Sequence, residues 1–189
     1  MRNGGVRVGL LILAVVCFVP AQTTDKPAAG LRCELRLNDE VLTTHPHSHL
    51  NFLLFSDRDG LKVYEDWNLW GYFARTFGLT VSGTKNYEVT RRDRVWDKNF
   101  PKTVTIDRGG VLVTDIYLCD GTWRVSPKLP VQEVSVRMVG RYTLRPRTGI
   151  SADPSWYPLE DVWVGTINSM PVELYLSKGC VLRLNSDRP

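Results

Sequence analysis

Apolar and polar residues alternate along most of this chain with the two-residue period of β-strands. In the run LRCELRL, Cys33 shares one face with leucines while arginine and glutamate occupy the other face. No stretch keeps a helical period over ten residues or more. The pattern predicts strands over residues 31–37, 50–56, 71–77, 87–90, 103–106, 111–118, 134–144, 162–167, 172–176 and 180–184.

Turn-forming sequences separate these runs. They include SDRDG, DRGG, CDGT and LSKG, which combine glycine with aspartate or serine. SDRDG has two carboxylates spaced like the start of a calcium loop, but the closing glutamate is missing, so a tight turn is favoured. About nine strands without an internal repeat predict an all-β chain, an immunoglobulin-like antiparallel β-sandwich forming a single domain over residues 31–185.

The first residues have the pattern of an export signal. Arg2 and Arg7 precede the apolar run GLLILAVVCFVPA, which is too short to span a bilayer comfortably and ends in a small-residue cleavage pattern. Lipid attachment at Cys17 is the less favoured alternative, because the large Val16 precedes it. We therefore expect a signal peptide over residues 1–21, a flexible lead-in over 22–30, a tail over 186–189 and no transmembrane segment after cleavage. The protein is predicted to be secreted, either extracellular or periplasmic.

The net charge of the chain indicates which class of partner to expect. The chain has 24 basic and 20 acidic residues, and losing Arg2 and Arg7 with the signal leaves a net charge of +2. A nucleic-acid-binding protein is expected to carry a strongly basic patch, so we predict no nucleic-acid partner.

Three cysteines belong to the predicted mature chain: Cys33, Cys119 and Cys180. At most one internal bridge can form among three thiols. Strand alternation places Cys33 and Cys180 on core faces, whereas Cys119 alternates with polar positions. We therefore predict a Cys33–Cys180 disulfide between the first and last strands. Two alternatives stay open, namely three unlinked buried thiols, and a nucleophilic Cys119 with a histidine as its base.

Four runs occur in the order found in a known class of module. They are NFLLFSD, TVTIDRGGVLVTDIYL, GRYTLRP and VWVGTINSMPVELYL. Together they resemble the secreted immunoglobulin-like modules of intracellular-proteinase-inhibitor-like domains and the accessory β-domains of secreted peptidases. Arg108-Gly109 departs from the Pro-Gly of that pattern. The resemblance implies the immunoglobulin-like sandwich and a peptidase as partner, but its motifs are framework signals and carry over no site residue.

The run TTHPHSHLNF contains every histidine of the chain, His45, His47 and His49. In an extended segment they would lie on one face with Cα atoms about 6.5–7 Å apart, so two neighbours could share a zinc or copper ion. Pro46 cannot donate a backbone hydrogen bond, which makes the segment an edge or a connection leading into a strand. The favoured interpretation is a polar loop, and the alternative is a metal site that draws another ligand from elsewhere in the fold.

Two further features are candidates for binding. Arg137, Arg141 and Arg145 fall on one face of a predicted long strand, where guanidinium groups could bind carboxylates or phosphates, or could guard the sheet against wrong pairing. The segment YEDWNLWGYF is rich in aromatic residues, most of which would fill the core. Trp67, in its turn-like part, is the best candidate for an exposed ring.

Motifs for a nucleophile elbow, a zinc-protease helix or a phosphate-binding glycine loop are absent from the sequence. We therefore predict a secreted, non-catalytic binding protein whose partner is another protein. Two alternatives are a metal-dependent enzyme or metal-binding protein using His45, His47 and His49, and a carbohydrate-binding module using Trp67.

Overall fold

The computed structural model of the protein describes residues 30–37, 49–81, 85–96, 100–145 and 161–186. The predicted signal peptide, residues 22–29 of the lead-in, residues 187–189 of the tail, and both His45 and His47 lie outside the described residues. The boundaries drawn there stay predictions.

The described residues contain eleven strands and two short helices. In chain order they are β1 (Leu31–Leu37), β2 (His49–Ser56), β3 (Leu61–Tyr64), α1 (Leu69–Tyr72), β4 (Arg75–Val81), β5 (Lys85–Arg91), β6 (Thr103–Ile106), β7 (Val111–Tyr117), β8 (Trp123–Ser126), β9 (Val134–Leu144), β10 (Gly165–Asn168), β11 (Val172–Leu176) and α2 (Lys178–Asn185).

The strands form three sheets. The first has the order β1-β2-β7, the second has the order β10-β9-β4-β5-β8 with β11 also paired to β9, and the third pairs β3 with β6. Every strand pair in these sheets is antiparallel. The prediction of an all-β chain with antiparallel sheets is therefore confirmed. Neither described helix is long and apolar enough to cross a membrane.

The first and second sheets pack face to face through their apolar sides. A Cβ atom added at Gly140 of β9 would lie 2.8 Å from a ring carbon of Phe52 and 2.9 Å from Cγ of Leu35. Such a contact is tighter than van der Waals packing allows, so only glycine lets β9 approach β1 and β2 this closely. Phe52 is fully buried there. Alternation thus identified the faces that form the core.

Two predicted strands are wrong in whole or in part. Residues 180–184 belong to α2, which Ser177 caps by accepting a hydrogen bond from the backbone of Cys180 at 3.3 Å. The buried residues of this helix are Cys180, Val181 and Leu184, which is a helical spacing, while Leu182 is exposed. Residues 71–77 contain the end of α1 before β4 begins. The four-residue strands β3 and β8 were not predicted, although β6 of the same length was.

The predicted disulfide between Cys33 and Cys180 is also wrong. Cys180 is bonded to Cys119, with Cα atoms 4.8 Å apart, and Cys33 is a free, buried thiol. The error follows from the misassigned strand, since a helix turns Cys180 towards the segment after β7 rather than towards β1. Burial raises the pKa of Cys33 to about 12, so this thiol stays protonated at neutral pH.

Removing the bridge should destabilise the fold considerably. The disulfide closes a loop with a sequence separation of 61 residues. Chain entropy predicts that replacing both Cys119 and Cys180 by alanine lowers the free energy of unfolding by about 4 kcal/mol. Urea unfolding at pH 7 measures the change, with Cys33→Ala as a control that should cost about 1 kcal/mol. A non-reducing peptide map that links Cys33 to another cysteine would contradict this pairing.

Candidate binding cleft

A tight turn between β3 and α1 holds Asp66 and Trp67. Asn68 fixes the turn: its side-chain oxygen accepts hydrogen bonds from the backbone N–H groups of Trp70 and Gly71, and its side-chain nitrogen donates to the carbonyl of Lys102. A Cβ at Gly71 would lie 2.2 Å from the carbonyl oxygen of Glu65, so the turn requires glycine at that position. Within this turn Trp67 is 76 % exposed, whereas the Asp66 side chain is only 9 % exposed.

The Asp66 carboxylate binds two arginines from neighbouring strands of the second sheet. It forms an ion pair with Arg75 of β4 and accepts a hydrogen bond from Nη2 of Arg91 of β5 at 3.1 Å. Nη1 of Arg91 also donates to the backbone carbonyl of Asp66 at 3.2 Å. Both the side chain and the backbone of the turn are therefore held by the sheet beneath it.

Arg75 is the most deeply buried of these groups, at 1 % exposure. Its guanidinium carbon lies 5.4 Å from the ring centre of Phe52 and 5.2 Å from that of Tyr142, and its Nη2 donates to Oγ1 of Thr114 in β7 at 3.1 Å. Burial lowers the pKa of Arg75 to about 10, which still leaves it a cation at neutral pH. A buried cation requires a charged partner, and Asp66 is that partner.

Arg91 lies between two aromatic rings. Its guanidinium carbon is 4.7 Å from the ring centre of Tyr72 and 5.1 Å from that of Trp123. Burial lowers the pKa of Arg91, while the neighbouring Tyr72 acts in the opposite direction. Cation–π contacts and the carboxylate of Asp66 together fix the orientation of this side chain.

A cavity of about 610 Å³ opens above this network, and we call it the Trp67 cleft. One wall comprises the turn residues Glu65, Asp66 and Trp67, and another comprises Leu112 to Asp115 and Tyr117 of β7. Tyr72, Arg75, Arg91 and Trp123 line the cleft between the walls. Its charged lining residues are four carboxylates and two guanidinium groups, a net charge of −2.

His49 lies beside this cleft. Its ring stacks on that of Tyr117 with centroids 4.2 Å apart, and its Nε2 is 3.4 Å from Oδ1 of Asp115. The side chain is buried, and neither ring nitrogen has a hydrogen-bond partner among the described residues. The described residues contain no group of three or more metal-ligating side chains. A zinc or copper site that includes His45 and His47 stays a prediction, since both lie outside the described residues.

The three arginines that were predicted to share a strand face are all exposed. Arg137 and Arg141 lie in β9 and Arg145 directly follows it, while the alternate residues of β9 between them are buried. Arg141 donates to the side chain of Asn168 at 3.2 Å and lies 4.0 Å from Glu88. A role in binding for these arginines stays a prediction.

The aromatic residues of the segment YEDWNLWGYF differ in exposure, as the sequence predicts. Trp67 is exposed, while Trp70 and Tyr72 are buried. Nucleophilic chemistry at Cys119 is ruled out by its disulfide to Cys180.

Sequence reasoning missed Asp66, Arg75 and Arg91. The sequence does contain a signal for the two arginines. Arg75 falls on the same strand face as Phe77 and Leu79, and Arg91 falls on the same face as Tyr87 and Val89. An arginine at the end of an otherwise apolar strand face indicates a buried cation, and hence a buried carboxylate partner. The sequence alone does not identify which carboxylate that is.

Comparison of the chain with protein-family models, curated proteins and solved structures finds no match.

Neutralising Asp66 should destabilise the protein far more than neutralising its neighbour. The substitution Asp66→Asn leaves Arg75 and Arg91 without a counter-ion and should cost about 3–5 kcal/mol. The control Glu65→Gln removes only an ion pair with the exposed Lys102, 3.2 Å away, and should cost less than about 1 kcal/mol. Urea unfolding at pH 7 measures both values. Equal losses for the two variants would contradict the assignment of Asp66 as the counter-ion.

Proposed function

We propose that this protein is an exported, non-catalytic binding protein whose ligand occupies the Trp67 cleft. The observation that carries the proposal is the exposed Trp67 at the rim of a cleft whose floor is a preformed network of Asp66, Arg75 and Arg91. Exposed tryptophans beside well-packed clefts are typical anchors of binding surfaces. A rigid floor lowers the entropic cost of binding, because the lining side chains are already ordered.

The chemistry of the groups favours binding over catalysis. Asp66 is neutralised by two guanidinium groups, so it is poorly suited to accept a proton from a substrate. Cys119 is in a disulfide, and Cys33 has a pKa of about 12, so neither provides a thiolate at neutral pH.

The same proposal includes an immunoglobulin-like arrangement of the two larger sheets and export from the cytoplasm. Disulfides persist mainly in oxidising compartments, and the chain combines the Cys119–Cys180 bridge with an N-terminal signal-like run. The partner we propose is a protein. A peptidase is the specific candidate, and only the resemblance to inhibitor-like domains supports it.

Carbohydrate binding is the second candidate function. Trp67 and Tyr117 both line the cleft and both are exposed, and their rings could stack on a sugar while the carboxylates accept hydrogen bonds from its hydroxyl groups. One experiment can separate this function from protein binding.

Nuclear magnetic resonance titration with a fragment library tests where ligands bind. The library should contain aromatic amines, dipeptides and mono- and disaccharides, and binding is followed by chemical-shift changes in the labelled protein. We expect the largest changes at Trp67, Arg91 and Tyr117. Trp67→Ala should weaken the binding of these fragments about tenfold, while Met170→Ala, an equally exposed control at 80 %, should leave it unchanged.

Three results would decide between the candidates. Changes caused only by saccharides would favour the second function. Shifts concentrated around Met170 or Arg137, with none at Trp67, would overturn the proposal that the cleft is the binding site. Dipeptides and amines that bind at Trp67 would support a protein partner.

A further inference from the structure

The strand β7 has a free edge within the described part of the chain, and that edge lies in the Trp67 cleft. Among the described strands β7 pairs only with β2. Four consecutive residues, Leu112 to Asp115, line the cleft. Because side chains alternate between the two faces of a strand, a cavity on one face would contact only every second residue. The cleft therefore runs along the edge of β7, where both sets of side chains are within reach.

The backbone of β7 directs hydrogen-bonding groups into this space. The N–H of Ser56 donates to the carbonyl of Gly110, which sets the phase of the β2–β7 pairing. Bonded and non-bonded pairs alternate in an antiparallel ladder, so Leu112 and Thr114 face β2 whereas Val113 and Asp115 face away from it. No backbone hydrogen bond to Val113 or Asp115 from outside β2 occurs among the described residues.

The charges along the cleft define what could pair with this edge. Asp66 engages both arginines of the floor, which leaves Asp115, Asp120 and Glu65 as the other charged groups lining the space. Val104 and Leu112 add apolar surface to the same cavity. An incoming chain with basic side chains opposite the carboxylates and apolar side chains opposite Val104 and Leu112 would match both properties.

We propose that the Trp67 cleft receives an extended segment of a partner protein, with alternating basic and apolar residues, which adds as a strand to the free edge of β7. Main-chain hydrogen bonds to Val113 and Asp115 provide affinity in this mode of recognition, and the side-chain contacts provide specificity. A second copy of this chain is a poorer occupant, because antiparallel pairing of two β7 edges would bring their acidic residues together. The inference rests on the proposed function, and it specifies how the same cleft recognises its partner.

Three synthetic peptides test the proposal with the intact mature protein. The first is a blocked heptapeptide of alternating lysine and valine, the second has the same sequence with N-methylated valines, and the third has glutamate in place of lysine. N-methylation removes backbone donors while keeping the side chains and charges. The first peptide should bind about tenfold more tightly than either of the others, because only it supplies both the backbone pairing and the charge complement.

Hydrogen exchange locates the bound peptide. The lysine–valine peptide should slow exchange at the amides of Val113 and Asp115, which point into the cleft, and leave the β9 residue Arg137 unchanged. Peptide binding that slows amide exchange only at other residues would overturn the proposal. Slow exchange at Val113 and Asp115 in the protein without peptide, caused by dimerisation or by another segment of the same chain, would also overturn it.

A pair of substitutions at one position provides a matched control. Val113→Pro removes the N–H that faces the cleft, a change that edge strands tolerate, and should weaken binding of the plain peptide because a peptide carbonyl loses its donor. Val113→Thr keeps the N–H and should bind the plain peptide as the unmodified protein does. Equal binding of the plain and N-methylated peptides to the unmodified protein would overturn strand addition, while the cleft would remain a binding site. Absence of binding by all three peptides would also overturn the inference, and the fragment titration would then decide the proposed function separately.

Discussion

The arrangement of the three sheets depends on the ion pairs that the buried carboxylate of Asp66 forms. It lies in the turn after β3 of the third sheet and binds Arg75 and Arg91 of the second sheet. Arg75 in turn donates to Thr114 in β7 of the first sheet. Burying an arginine without a counter-ion costs several kcal/mol, so these four residues constrain one another across all three sheets. Asn68 and Gly71 hold the turn in the shape in which Asp66 reaches both arginines.

The same network determines the chemistry of the cleft above it. Because Arg75 and Arg91 are occupied by Asp66, their charges are not free to attract an anionic ligand. Asp115 and Asp120 then leave the cleft acidic although the whole chain is basic. With Asp66 directed inwards, Trp67 points outwards at the rim. The proposed binding of a basic segment at this cleft therefore rests on the way the core is neutralised.

Alternation of apolar and polar residues was sufficient to predict β9, β11 and the exposed face that bears Arg137 and Arg141. It failed at Cys180, because Cys180, Leu182 and Leu184 have the two-residue spacing of a strand. These residues lie in a helix that begins after the serine cap. That one error also caused the wrong disulfide. The candidate site was harder to predict, since Asp66 and Arg91 are 25 residues apart and meet only in the folded chain. Trp67 could be predicted because turns lie mostly at the surface, although the side chains of its neighbours Asp66 and Asn68 in the same turn are largely buried.

Asp66 and Arg91 act as one charged unit, and a double-mutant cycle measures their coupling directly. Free energies of unfolding are determined for Asp66→Asn, Arg91→Gln and the double variant. If the charges depend on each other, the double variant should be more stable than the sum of the single losses implies, by about 1–3 kcal/mol. Losses that add to within about 0.5 kcal/mol would contradict the claim, because independent residues behave in that way.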